Sequence, residues 1–256
     1  MTDRQVRFVL LTHHYCGADQ LLDALAGIEG VRAYGELLNS SEHMRRMSAE
    51  PHLAHYRIGE DGADYLDKQV FVSARDSDVK AVGYAMTYED ARVDRFMISA
   101  WTYLIQSIDI RVIHLARANP LERLVEQSAA ERTPGWLDPS DGVAGYDVEP
   151  FTLSSFNCQE EFDRHLGRQL WAQQAFASHP VLEFDFDKDI KGDFQGALQR
   201  ACEFLDVSAA PAAAKFQTPI QVDPHRIVVN FEELKEHFRH TLYQDLFQAD
   251  RAGLER

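Results

Sequence analysis

Three cysteines in 256 residues, Cys16, Cys158 and Cys202, are too few and too scattered for a disulfide framework. Their odd number points to a reducing compartment, so a cytoplasmic protein is expected. The chain also lacks any apolar run long enough to span a membrane, and "MTDRQVRFVLL" holds too short an apolar stretch for a signal peptide. Cations are scarce: 26 Lys and Arg stand against 41 Asp and Glu, for a formal charge of −15. That balance argues against nucleic-acid and anionic-membrane partners. It permits a small anionic ligand in a locally positive pocket, but such a pocket has few cations to draw on. No internal repeat, low-complexity tract or linker divides the chain, so one domain over residues 1–256 is expected.

What is present is alternation. "RFVLLT" reads as a fully buried strand, and "GADQLLDALAGI" follows with apolar residues at helical spacing. "VKAVGYAM" and "RVIHLAR" are further strands. The helices after them are "RVDRFMISAWTYLIQS" and "NPLERLVEQSAAER", the second opened by Asn119 as cap and Pro120 in the first turn. "HPVLEFDFD" is a fourth strand, with "FQGALQRACEFLDV" as its helix. The alternation implies an α/β fold with a central parallel sheet flanked by helices. Residues 36–68 are polar and look helical, with "SSEHMRRMSAE" starting like a capped helix. Residues 133–155 form a Gly-, Pro- and Asp-rich loop long enough to serve as a lid or binding loop. The amphipathic "FEELKEHFRHTLYQDL" is expected to pack on the body.

Ligands in such sheets bind outside the carboxyl ends of the strands. There the first strand runs into "THHYCGAD", where backbone N–H groups and a helix N-terminus would suit an anion. The turn holds a single glycine and neither Lys nor Arg. His13 and His14 are its available donors, as imidazolium or as neutral N–H. With Cys16 and His114 they raise the question of a metal, but the spacing matches no zinc pattern and none is expected. Cys16 is either a reactive thiol or a small buried residue. Arg117 ends a buried strand, where an arginine needs a partner. That partner is an anionic ligand or Glu126 on the next helix, and pairing with Glu126 would neutralise the pocket. Of Arg123 and Arg132, one is expected in solvent. Trp101 and Tyr103 are expected to pack, and Trp136 falls in the candidate lid.

Several segments, in order, resemble the PAPS-dependent sulfotransferases, especially the bacterial carbohydrate branch. Those proteins open with a strand, a turn of the kind Thr-x-Pro-Arg-Ser-Gly-Ser-Thr, and a helix. A Gly-Glu pair follows, here Gly35 and Glu36 in "VRAYGELLN". "VIHLARANPLERLVE" and "AAERTPGW" match the middle strand and its helix, and "FLDV" and "NFEELKEHFRHTLYQDLF" match the C-terminal part. The resemblance covers nearly the whole chain and implies a sulfotransferase or P-loop NTPase-like fold. It implies transfer of a sulfuryl group from PAPS to a hydroxyl of a sugar or small natural product, without a metal. Thr12, Tyr15, Cys16, Gly17 and Ala18 would line the cradle for the 5′-phosphosulfate. Arg117 would hold the 3′-phosphate, with Arg123 as a further cofactor-binding residue. Glu36 would be the catalytic base, with His14 as a second catalytic group.

The same alignment exposes departures. His14 stands at the proline, Tyr15 at the basic residue, Cys16 and Ala18 at serines, and Asp19 at the threonine that starts the helix. Glu126 stands at a serine that contacts the 3′-phosphate, and Ala85 at a lysine. Every change but the first removes positive charge or hydroxyls, or adds a carboxylate. The alternative function is therefore a divergent sulfotransferase-fold protein that no longer binds PAPS. It would act as a binding or partner protein, or on another substrate.

Overall fold

The computed structural model describes residues 5–38, 61–71, 78–88, 95–133, 148–208 and 223–248. The helix expected from residue 40, Trp136 and positions 134–147 of the expected lid lie outside these residues. The strands are β1 (Val6–Thr12), β2 (Val31–Glu36), β3 (Ala81–Thr87), β4 (Arg111–Ala116) and β5 (Val181–Asp185). The helices are α1 (Ala18–Ala26), α2 (Gly62–Tyr65), α3 (Arg95–Gln106), α4 (Pro120–Arg132), α5 (Ser155–Ala175), α6 (Phe194–Phe204), α7 (Pro224–Ile227) and α8 (Phe231–His237). Two compact units share the chain: residues 1–116 with 171–217, and residues 117–170 with 218–256.

The first unit is built on a five-stranded sheet of order β2-β3-β1-β4-β5, with every pairing parallel. The four expected strands are all in it. β2 is an addition, since Arg32 and Gly35 interrupt the apolar run that marks the others. Alternate residues point to opposite faces, and both faces are apolar. One carries Leu10, Ala85, Ile113 and Phe184 against Leu21 and Leu25 of α1 and Leu198 of α6. The other carries Leu11, Tyr84, Met86 and Val112 against Phe96, Trp101 and Leu104 of α3 and Phe176. Each buried Leu, Ile, Val, Met or Phe side chain among them contributes about 1.5–3 kcal/mol. This explains why the strands read as continuous hydrophobic runs.

α1 forms because Leu21, Leu22 and Leu25 share one face and no β-branched residue interrupts them. It ends at Gly27, whose N–H bonds the carbonyls of Asp23 and Ala24, each at 3.2 Å. Its N-cap is Gly17, so Asp19 is an exposed residue of the first turn and not the cap. α4 opens as its sequence predicts: Asn119 Oδ1 accepts from the N–H groups of Leu121 and Glu122 at 3.0 and 3.3 Å.

In the second unit, Leu121 and Val125 of α4 pack with Phe162 of α5 and with Phe231, Leu234, Phe238 and Phe247. The amphipathic C-terminal segment is thus part of a core, with Phe238 and Phe247 stacked at 5.2 Å. Among the described residues no helix is long and apolar enough to cross a membrane.

Candidate functional site

The chain leaves β1 for β2 on one side of the sheet and leaves β4 for β5 on the other. Strand order therefore reverses beside β1, where an open α/β sheet offers a crevice at its carboxyl edge. The turn after β1 stands there. Tyr15 and Gly17 both have left-handed backbone, at φ 63° and 70°. Gly17 is required twice over, because a Cβ would also lie 2.5 Å from Cε2 of the buried Phe186 ring. Thr12 is fully buried and its hydroxyl donates to the His13 carbonyl at 3.1 Å. Cys16 and Ala18 are buried, so Cys16 packs as a small apolar residue. Tyr15 is half-buried.

Glu36 reaches this turn through a register shift. Tyr34 pairs with Tyr84, but Glu36 pairs with Ala85, with Gly35 as the extra residue. The bulge moves Glu36 onto the face that α1 covers, a common use of bulges near functional sites. Its carboxylate Oε1 lies 3.6 Å from Nδ1 of His14. That is an electrostatic contact, too long for a hydrogen bond.

On the opposite face a second polar group crosses the same edge. The His13 ring lies 4.5 Å from that of Tyr88, just beyond β3. The Tyr88 hydroxyl bonds Nε2 of His114, and Nδ1 of His114 lies 2.6 Å from Oε2 of Glu183. Tyr88 and His114 are buried, while Glu183 is half exposed on β5. In the sequence His114 is legible only as a candidate metal ligand, and Tyr88 and Glu183 belong to no motif. The available signal was a histidine inside the buried strand "RVIHLAR", where it needs polar partners. Among the described residues no group of three or more His, Cys, Asp or Glu is arranged to hold a metal ion.

Arg117 and Arg123 belong to the second unit. Arg117 is 1% exposed, and its guanidinium is held by Glu126 and Glu122. Nη1 donates to Glu126 Oε2 at 2.6 Å, while Nη2 donates to Glu126 Oε1 at 3.1 Å and Glu122 Oε2 at 2.9 Å. The main-chain carbonyl of Arg117 is bonded by Nε2 of His165 at 2.9 Å. Arg123, also buried, donates to Gln127 and Glu161. Arg132 is the exposed member of the pair, lying over the Phe151 ring and donating to the Ser128 carbonyl. Trp101 packs edge-on against Trp171 at 5.1 Å.

No protein-family model matches the chain, and no curated protein matches it. Among solved structures it is similar to a sulfotransferase from Alicyclobacillus acidocaldarius, at 17% identity, covering 92% of each chain with a TM-score of 0.48. It is also similar to the sulfotransferase domain of the olefin synthase from Synechococcus, at 14% identity, covering 95% of this chain and 87% of that one, with a TM-score of 0.44.

Proposed function

We propose that this chain is a divergent sulfotransferase-like protein that does not use PAPS. Its carboxyl edge would bind a hydroxyl-bearing small molecule or carbohydrate and handle a proton there. The order of its sequence motifs supports the family likeness, and the reading takes residues 1–256 as a single domain. The observation that carries the loss of PAPS is Arg117, whose guanidinium is taken up by Glu126 and Glu122. A phosphate brought to this group would meet two carboxylates, each repelling it by about 1–4 kcal/mol at contact distance.

The rest of the donor set points the same way. The turn from His13 to Ala18 contains no Lys or Arg. The space beside Gly17 is filled by the Phe186 ring. Arg123 is engaged by Glu161. Arg117 and Arg123 of the second unit do not suit a phosphate, and neither, within the first unit, does the turn. It suits a neutral ligand, for which carboxylates and imidazoles serve as hydrogen-bond partners. A cytoplasmic protein without nucleic-acid or membrane partners agrees with the acidic composition.

The test is calorimetric titration with adenosine 3′,5′-bisphosphate, the desulfated product of PAPS. No binding is expected below millimolar nucleotide, and micromolar binding would overturn the proposal. A second reading, PAPS-dependent transfer to a sugar or natural-product hydroxyl, is favoured by one feature. The bulge at Gly35 holds Glu36 beside the turn, where it would act as base with His14 as a second donor. Micromolar binding would support that reading.

A further inference from the structure

The strands bring Tyr88, His114 and Glu183 into one hydrogen-bonded line, although they are far apart in sequence. His114 and Glu183 are register partners on β4 and β5, so their side chains stand on the same face. Tyr88 follows β3 and reaches His114 across the end of β1, with its ring against His13. A carboxylate only accepts hydrogen bonds. Glu183, 2.6 Å from Nδ1, therefore fixes the proton of a neutral imidazole on Nδ1. Nε2 is left with its lone pair toward the Tyr88 hydroxyl. This is the arrangement of an activated hydroxyl: a base within hydrogen-bond reach, oriented by a third group.

The surroundings favour proton movement along this line. Leu11, Val112, Ala172 and Phe176 wall a cleft of about 130 Å³ that ends at His114 and Glu183. Apolar walls strengthen the attraction between an imidazolium and the carboxylate. Glu183 is 53% exposed, which connects the line to water. At the other end, His13 and His14 are consecutive residues of the turn, and His14 contacts Glu36.

We propose that Tyr88, His114 and Glu183 form an acid–base unit serving the carboxyl edge of the sheet, with Tyr88 as the catalytic group that meets a substrate hydroxyl. His114 and Glu183 are positioning residues. The proposal rests on the reading of this edge as the reaction site. Tyr88 takes the substrate's hydroxyl proton on its oxygen as its own O–H proton moves to Nε2 of His114. The imidazolium stores that proton beside Glu183 and returns it along the same path when the product oxygen is protonated. No oxidant, metal or phosphate donor is needed for this step.

The test uses the full chain without ligand, so its failure is distinguishable from the outcome of the nucleotide titration. Nitrogen-15 NMR of labelled histidine reports the tautomer, and proton NMR reports exchange of the Tyr88 hydroxyl with water, assigned with Tyr88→Phe. The expected result is the Nδ1–H tautomer for His114. Glu183→Gln should slow hydroxyl exchange at least tenfold, with amide protection of β3, β4 and β5 unchanged. Glu183 is half exposed and Gln keeps its shape, so this variant is expected to fold. An Nε2–H tautomer would overturn the proposal, because His114 could not then take the phenol proton. Hydroxyl exchange unchanged by Glu183→Gln would overturn it as well, leaving only a packing role.

Discussion

Glu126 grips Arg117 with both carboxylate oxygens, at 2.6 Å to Nη1 and 3.1 Å to Nη2. Nine positions apart in the chain, both belong to the second unit, where Arg117 is tied to the second turn of α4 by a buried bidentate pair. Such a pair is strongly directional. Breaking one partner of a buried pair leaves an uncompensated charge and costs about 3–5 kcal/mol. Arg117→Ala is expected to approach this range, since it leaves Glu126 and Glu122 facing one another. Denaturant unfolding measures it, and a loss below about 1 kcal/mol would show that solvent already screens the cluster.

Removing carboxylates should bring nucleotide binding back. The resemblance to the PAPS-dependent sulfotransferases aligns Asp19 and Glu126 with hydroxyl-bearing residues of those proteins. Asp19→Thr with Glu126→Ser removes two repulsions, each on the order of 1 kcal/mol at a partly hydrated site. Binding of adenosine 3′,5′-bisphosphate should tighten at least tenfold, since about 1.4 kcal/mol makes that factor. The gain should shrink at high salt. Weaker binding in the double variant would mean that the carboxylates belong to a working site.

Glu36 offers a kinetic test once a substrate is in hand. Under the PAPS-dependent reading, in which Glu36 is the base, Glu36→Gln should lower turnover by roughly two orders of magnitude with little change in KM. A variant as fast as the parent would remove Glu36 from the chemistry.

Gly17 combines a left-handed backbone with a ring against its Cα. Gly17→Ala should cost about 1–2 kcal/mol for the conformation and about 1–3 kcal/mol more for overpacking against Phe186. In a Phe186→Ala background the added cost of Gly17→Ala should fall to the backbone part. Thermal or denaturant melts of the four proteins measure the coupling.

Alkaline pH should unfold the protein through groups kept neutral in the native state. Burial pushes the Tyr103 hydroxyl up to about 12, reinforced by its hydrogen bond to Asp67. Burial and Asp163 do the same for Tyr243, also to about 12, and burial raises the Cys158 thiol to about 11. A raised folded-state value gives stability that is full below the unfolded value and lost as pH climbs through the folded one. Stability should therefore fall from about pH 9 for the thiol and about pH 10 for the tyrosines. Tyr103→Phe should flatten the upper part of that decline, measured by denaturant melts from pH 8 to 12. An unchanged slope would show that Tyr103 has no part in it.

Much of this protein was legible in its sequence because burial on two faces writes a plain signal. "RFVLLT", "VKAVGYAM", "RVIHLAR" and "HPVLEFDFD" are apolar runs of strand length, and the structure puts all four parallel in one sheet. Asn119-Pro120 announced the start of α4, because cap chemistry is local. β2 was missed, since Arg32 and Gly35 break its apolar run and an edge strand buries less. α5 was missed too: its 21 residues are polar along most of their length and alternate too weakly to show a face.

The sites divide along the same line. That the turn after β1 lacks a cation, and that Glu126 stands on the helix after Arg117, are facts of sequence. Tertiary structure decided how those residues are used. It closed the Arg117 fork on Glu126 and Glu122, turned Glu36 toward His14 through a bulge, and set the Phe186 ring against Gly17. It also joined Tyr88, just after β3, to His114 of β4 and Glu183 of β5 in one line. Parallel strands are linked by long crossovers, so residues that meet at their ends lie dozens of positions apart. Periodicity reads which way a side chain faces, whereas strand order and register determine what it meets.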